Sequence, residues 1–372
     1  MRASVLLEPR RPLEVLEVEL DPPGAGEVLV RVAAAGICHT DVHLADGRLG
    51  EGRWPIVLGH EGAGTVEALG PGVEGLAPGD RVAFCFVPSC GTCRACVAGR
   101  ANLCESVLPA AWDGTLLDGT TRMRLAGGAP LQHFNFVSCF AEHCVVPAGS
   151  AVPLPDALPL WQAALVGCSL VTGVGAVRNA AGVAIGETVC VIGCGGIGLQ
   201  IVAGAALAGA VRIVAVDPDP AKLALATARG ATDAVPAGDE AAAAVLALVP
   251  GGVDHAFEAV GQPATIRQAW DVLRPGATAI VVGIARMGAE VALPALDLVS
   301  EKGIRGSYYG SAHPGQAIAQ LAGMVADGDL PLADVVSHVT DLEGIEAGLE
   351  RLRAGEGART VAIMDATAAG RT

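Results

Sequence analysis

One segment constrains the fold more than any other: Thr188–Val211, which reads TVCVIGCGGIGLQIVAGAALAGAV. A β-branched run comes first, then glycines spaced G-x-G-x-x-G at Gly193, Gly195 and Gly198, with Gly196 between them, then an apolar run of helical length. The order is that of a buried strand, a tight turn and a helix. Glycines there let the backbone approach a pyrophosphate, and the helix N-terminus that follows favours its negative charge. A glycine turn of purely structural purpose would need no acid after it, but Asp217 closes the next apolar run, placed to accept the hydroxyls of an adenosine ribose. It would repel a 2′-phosphate, and Pro218 and Asp219 bring no arginine to bind one, so NAD is expected rather than NADP.

Around this segment strand and helix alternate. Strands are expected at 188–193, 212–217, 253–260 and 278–284, and helices at 196–209, 218–229, 239–249 and 263–273, with Gly230 and Pro250 as stop signals. The strands are apolar enough to be covered on both faces, which defines an α/β, doubly wound parallel sheet over residues 169–308. Residues 1–168 differ, with many Gly and Pro and short alternating runs such as EVLVRVAAAG, the pattern of a mainly β region. After 308 come two amphipathic helices, at 315–327 and 343–354, and a closing strand, RTVAIM. Two uncharged stretches, 157–177 and 188–211, reach membrane-spanning length, yet the glycine cluster in the second argues for a water-soluble core.

Eleven cysteines accompany no export-like leader, since the N-terminal apolar run is only a few residues long before Glu8, so thiols or metal ligands in the cytoplasm are expected rather than disulfides. Cys90, Cys93, Cys96 and Cys104 follow C-x2-C-x2-C-x7-C. Four thiolates this close suit a closed tetrahedral zinc site that pins a loop with little core of its own. An iron–sulfur cluster is the rival, although no proline follows the last cysteine. Cys38, His60 and Cys168 are scattered along the chain, but each stands in a distinctive setting: Cys38 opens CHTDVH, His60 lies in GHEGAG, and Cys168 follows Gly167. Two thiolates and one imidazole would leave zinc an open fourth position, as a Lewis-acid site needs.

These residues carry a resemblance. Gly59, His60, Glu61, Gly64, Gly70 and Val73 complete the signature GHE-x2-G-x5-G-x2-V, and from about residue 5 to 364 the chain resembles the zinc-containing medium-chain alcohol dehydrogenases. The resemblance implies a GroES-like catalytic domain from residues 1–168 and 309–372, with the Rossmann domain, 169–308, inserted between. It implies two zinc ions per chain, the catalytic one on Cys38, His60 and Cys168 with Asp41 partnering His60 and Glu61 behind the metal. It gives Thr40 to the reacting alcohol oxygen and His43 to proton exit, and it sets His39 and Arg359 against the coenzyme pyrophosphate and Lys222 near the adenosine ribose. For His39, His43 and Lys222 the alternative is an ordinary solvated side chain.

Substrate class is narrower ground. By alignment the pocket is Leu49, Phe86, Leu108, Phe134 and Ile284, all apolar, with Tyr308 as one polar contact; six of the twelve aromatic residues lie between 84 and 140, which core packing would also explain. Members acting on S-hydroxymethylglutathione carry a polar or ionic residue near Leu49 and Leu108 and usually lack a histidine at His43. The expected reaction is therefore oxidation of an apolar or aromatic primary alcohol, or reduction of its aldehyde, with an S-(hydroxymethyl)thiol (formaldehyde) dehydrogenase or a non-catalytic dinucleotide-binding relative as alternatives. The Gly-rich excursion from Trp112 to Phe136 resembles the long loop of the dimeric members, so a homodimer is expected, a plain surface loop being the alternative. Twenty-four basic against 39 acidic residues give a formal charge of −15, which argues against nucleic acid or an anionic membrane as partner.

Overall fold

The computed structural model describes residues 1–49 and 53–370. The chain divides into two compact units, Met1–Cys168 with His313–Thr372, and Ser169–Ala312. In the second unit, six strands form one sheet in the order Asp233–Pro236, Arg212–Asp217, Thr188–Ile192, Val253–Glu258, Leu273–Val281 and Gly303–Gly306. All neighbours are parallel. Two central strands, Thr188–Ile192 and Arg212–Asp217, fall where the apolar runs place them, and Val253–Glu258 stops two residues early. Leu273–Val281 is displaced toward the N-terminus of the expected 278–284, its first half, LRPG, lying outside the apolar run. The two edge strands do not announce themselves: DAVP ends in proline and GIRG is bounded by glycines, both at edges where weak strand formers are tolerated.

Helices Gly196–Leu207, Pro220–Ala228, Ala241–Leu248 and Pro263–Asp271 occupy the intervals between strands, each shorter at its ends than periodicity implies. Trp270, Val214, Val245 and Ala279 pack in one core cluster beneath the sheet. Gly198 shows why the first helix begins with glycine, because a Cβ there would stand 1.8 Å from the Gly193 carbonyl oxygen. Thr188–Val211 is thus strand, turn and helix. The apolar run Leu160–Ala181 is helical and long enough to cross a membrane, but 89% of its most apolar window is buried.

The first unit is mainly β. A closed barrel joins Arg2–Leu6, Glu14–Leu20, Met123–Leu125, Pro130–His133 and Ile56–Val57. Two of those strands come from the 112–136 excursion, so that segment completes a barrel and is not a plain surface loop. A partly buried ion pair ties it down: Arg122 donates from Nε and Nη2 to Glu27, 2.8 Å each. A second sheet runs Ala151–Pro153, Arg81–Phe84, Glu61–Leu69, Glu27–Ile37, Arg359–Ile363 and Val336–Thr340, with His143–Pro147 also pairing Glu27–Ile37. Helices Pro314–Ala326 and Ile345–Arg353 follow, the latter burying Ile345, Leu349 and Leu352 on one face.

Candidate active site and metal centres

Register in the second sheet brings distant residues to one end of it. Gly36 opposes Glu61 and Ile37 opposes Thr360, so Cys38 just past one strand, His60 just before the next and Arg359 at the head of a third converge. Cys168 arrives from a wide helical turn, Val166–Leu170, held close because Gly167 has no side chain; a Cβ there would meet the Phe84 carbonyl oxygen at 2.0 Å. The donor atoms of Cys38, His60 and Cys168 lie within 4.8 Å of one another and all three residues are buried. His60 Nε2 is 3.5 Å from Cys168 Sγ. On its other face His60 Nδ1 lies 3.3 Å from Asp41 Oδ1, which orients the ring so that Nε2 faces the thiols.

Asp41 is itself locked. Its Oδ1 accepts from the Gly59 N–H at 3.1 Å and its Oδ2 from the Cys38 N–H at 3.0 Å, so one carboxylate organises two of the three donors. A hydrogen bond from Cys168, aided by His60, holds the Cys38 thiol well below the usual range and so favours the thiolate that binds metal. Burial works against charge on His60, but the Asp41 carboxylate and the Cys38 sulfur together raise the imidazole well above its ordinary value. Edge-on rings of Phe86 and Phe134, each with its centroid 5.3 Å from that of His60, wall the site with hydrocarbon. Both phenylalanines belong to the pocket read by alignment, and the fold adds their edge-on contact with His60.

Thr40 and His43 follow on the short helix His39–Ala45. The Cys38 thiol donates to Thr40 Oγ1 at 3.7 Å. His43 is half-buried, its Nδ1 enclosed without a partner among the described residues, and burial first, then the charges of His39 and Arg48, lower its pKa. His39 is exposed, its ring centroid 6.2 Å from that of His43. Glu61 is fully buried and pairs with Arg359, whose Nη1 lies 3.0 Å from Glu61 Oε2 and 3.3 Å from the Ile37 carbonyl oxygen. Arg359 is thereby engaged behind the donor set, while its Nε is buried without a partner among the described residues. Cys139, which no motif marks, donates its thiol to the Glu61 carbonyl oxygen at 3.5 Å.

The second cluster sits around the one-turn helix Arg94–Val97. Sγ atoms of Cys90, Cys93, Cys96 and Cys104 lie within 4.8 Å of one another, with Cys90 exposed and Cys104 buried. Backbone N–H groups point at the sulfurs: Cys93 to Cys90 at 3.3 Å, Cys90 to Cys104 at 3.4 Å and Glu105 to Cys93 at 3.4 Å. The N–H groups of Thr92 and Cys93 bring the Cys90 thiol down to about 5, whereas desolvation and the neighbouring thiols push Cys96 up to about 12. Both donor sets fit zinc, four sulfurs closing one site and three N/S donors leaving a position open on the other.

In the nucleotide-binding turn, Asp217 is buried and accepts from the Cys194 N–H at 2.7 Å and the Asp219 N–H at 2.9 Å, one on each oxygen. Each oxygen keeps a lone pair for a further donor. Gly195 has open space where a Cβ would stand. Lys222 is half-buried on the helix after Asp217. Of the pocket residues read by alignment, Leu49 and Leu108 are half-buried and Phe86 and Phe134 buried in the first unit; Ile284 and Tyr308, 43% and 37% exposed, belong to the second.

Residues 24–156 match the alcohol dehydrogenase GroES-like domain and residues 196–326 the zinc-binding dehydrogenase domain. An S-(hydroxymethyl)glutathione dehydrogenase of Photobacterium damsela subsp. piscicida is 37% identical over 97% of this chain and 98% of its own. Among solved structures, an alcohol dehydrogenase zinc-binding domain protein from Burkholderia ambifaria superposes with a TM-score of 0.92 at 34% identity, covering 98% of each chain. Benzyl alcohol dehydrogenase from Acinetobacter calcoaceticus gives 0.91 at 29% identity, covering 98% of this chain and 99% of its own. The chain belongs to the zinc-containing medium-chain alcohol dehydrogenase family. It is an oxidoreductase acting on CH–OH groups, with NAD and zinc as cofactors.

Proposed function

We propose that the chain interconverts an apolar or aromatic primary alcohol and its aldehyde. The observation that carries this reading is the buried Cys38–His60–Cys168 set walled by the Phe86 and Phe134 rings, a metal-binding corner with hydrocarbon beside it. Those three residues would hold the catalytic zinc, and Cys90, Cys93, Cys96 and Cys104 a structural one. When bound, zinc supplies a Lewis acid to the alcohol oxygen and NAD accepts the hydride. Asp41 holds His60 in register, and Glu61, neutralised by Arg359, keeps a carboxylate behind the donors. Thr40 Oγ1 is placed to take the alcohol proton, the two phenylalanines exclude water, and His43 passes the proton toward solvent. Gly193, Gly195, Gly196 and Gly198 would cradle the coenzyme pyrophosphate, with Asp217 choosing NAD over NADP by repelling a 2′-phosphate and Lys222 near the ribose.

A second reading has specific support, since the curated relatives are S-(hydroxymethyl)glutathione dehydrogenases. Apolar Leu49 and Leu108 favour the alcohol. A panel of aryl and alkyl primary alcohols, with formaldehyde tested in the presence and absence of glutathione and other thiols, separates the two. Turnover of benzylic or alkyl alcohols without thiol supports the first reading; turnover only of thiol adducts overturns it. A homodimer is the proposed assembly, supported by the edge strand Gly303–Gly306, whose outer side has no strand partner among the described residues, and by exposed Leu296, Val299 and Ile304 nearby. Eleven free cysteines agree with a reducing cytoplasm as the proposed location.

A further inference from the structure

Glu258 ends the strand Val253–Glu258, is fully buried, and takes part in no step described so far. Its register partner is Ile192, the residue before Gly193, so it stands at the carboxyl ends of the two adjacent strands between which the sheet order reverses. Oε1 alone accepts three hydrogen bonds, from the Val260 N–H at 2.9 Å, the Gly261 N–H at 2.7 Å and the Thr265 hydroxyl at 2.6 Å, while Oε2 is enclosed without a partner among the described residues. The carboxylate therefore gathers the turn Ala259–Gly261 and the start of helix Pro263–Asp271 onto a single atom. That turn is stitched to the glycine strand by the Ala259 N–H, which donates to the Ile192 carbonyl oxygen at 2.9 Å. Val260 then presses on the glycine turn, its Cγ2 lying 2.5 Å from where a Cβ on Gly193 would be.

We infer that Glu258 is a positioning residue for the dinucleotide, setting the height of Val260 against Gly193 through Oε1 and so fixing the floor on which the coenzyme lies. The inference rests on the reading of the glycine turn as the coenzyme's cradle. Without the carboxylate, two buried N–H groups lose their acceptor and the turn is free to relax toward or away from Gly193. The zinc sites, both built from the other unit, supply an internal control.

The test is NADH binding to the zinc-loaded enzyme, followed by nicotinamide fluorescence, together with steady-state kinetics in NAD. Glu258→Ala is expected to weaken NADH about 10-fold and raise the KM for NAD by a similar factor, with kcat changed less than about 3-fold and zinc content unchanged. Glu258→Gln keeps an acceptor at Oε1 and is expected to stay within about 3-fold of wild type, and Thr265→Val, which removes one donor near the surface, to lose about 3-fold. Glu258→Ala binding NADH like wild type overturns the inference, as does Glu258→Gln failing as badly as Glu258→Ala. Should Glu258→Ala not fold, Thr265→Val decides, and wild-type binding by that variant overturns the inference. Wild-type enzyme that binds no NADH would overturn the coenzyme reading as well, which keeps the two failures apart.

Discussion

The two cysteine clusters lie in one unit and use one chemistry, yet they are built in opposite ways. Cys90, Cys93, Cys96 and Cys104 come from fifteen consecutive residues, their sulfurs served by backbone N–H groups of their own loop and partly open to water. Cys38, His60 and Cys168 come from three distant segments, are buried, and depend on strand register, a locked Asp41 and two aromatic walls. A closed four-sulfur shell needs only a short loop and repays it with rigidity. An open three-donor set is useful only where water is kept out and the donors are held by something other than the metal, so it is built into the sheet.

The largest separation between them comes from removing one ligand of each. Cys168→Ser is expected to abolish turnover, a loss of more than about 10³-fold, in a protein that melts close to wild type. Cys96→Ser is expected to lower the melting temperature by about 5 °C or more. Equal effects on activity and stability in both variants would erase the distinction.

Within the buried set, Thr40→Ala should cost more than His43→Gln, because the hydroxyl lies beside Cys38 Sγ whereas His43 stands on the way to solvent. For His43→Gln a loss on the order of 10²-fold in alcohol oxidation is expected. Since burial lowers the His43 pKa, its proton-accepting neutral form persists below pH 6.5 and is lost only as the pH falls through that lowered value. The gap between wild type and variant should therefore be widest in mildly acidic solution, close as hydroxide takes over in alkali, and shrink when partial rescue by added imidazole is allowed. Overlaid pH–rate profiles would show that protons leave by another route.

The smallest effect concerns stability in the barrel that carries Phe134. His133 is buried, accepts from the Arg122 N–H at 3.2 Å, and is pushed by burial, then by the Arg122 charge, down to about 3. In the unfolded chain it would titrate near 6.5, so above that pH it adds nothing to the pH dependence. Below it the unfolded state binds the proton that the folded state refuses, and stability falls by up to about 1.4 kcal/mol per pH unit. His133→Gln should flatten that part of the acid limb in urea melts taken between pH 7 and 5; an unchanged slope would refute the assignment.

How much of this was legible in the sequence follows the same division. The four-cysteine loop and the glycine turn are local, and their spacing alone announces them. Three central strands were legible for the same reason, each an apolar run bounded by turn residues, and so was the second half of Leu273–Val281, whose first half carries Pro and Gly. DAVP and GIRG were not, because four residues carrying Pro or Gly give no alternation to read. The buried donor set was reachable only through the settings of its members, CHTDVH, GHEGAG and the Gly167–Cys168 pair, since register between two strands and the approach of a helical turn leave no trace in spacing. The edge-on rings, the Glu61–Arg359 pair and the Glu258 anchor belong to packing between segments that no period records. The 112–136 excursion hid its strands for another reason, being three and four residues long and set among glycines.

Zinc per chain, measured by atomic emission on wild type and on the two cysteine variants, bears most directly on the claim that one cluster is closed and structural and the other open and catalytic. About two zinc ions are expected in wild type, and about one in each variant, with the single remaining zinc accompanied by full stability but no activity in Cys168→Ser and by lowered stability in Cys96→Ser. Wild type holding one zinc or none, or a Cys168→Ser protein that keeps both zinc ions and turns over alcohol at the wild-type rate, would contradict it.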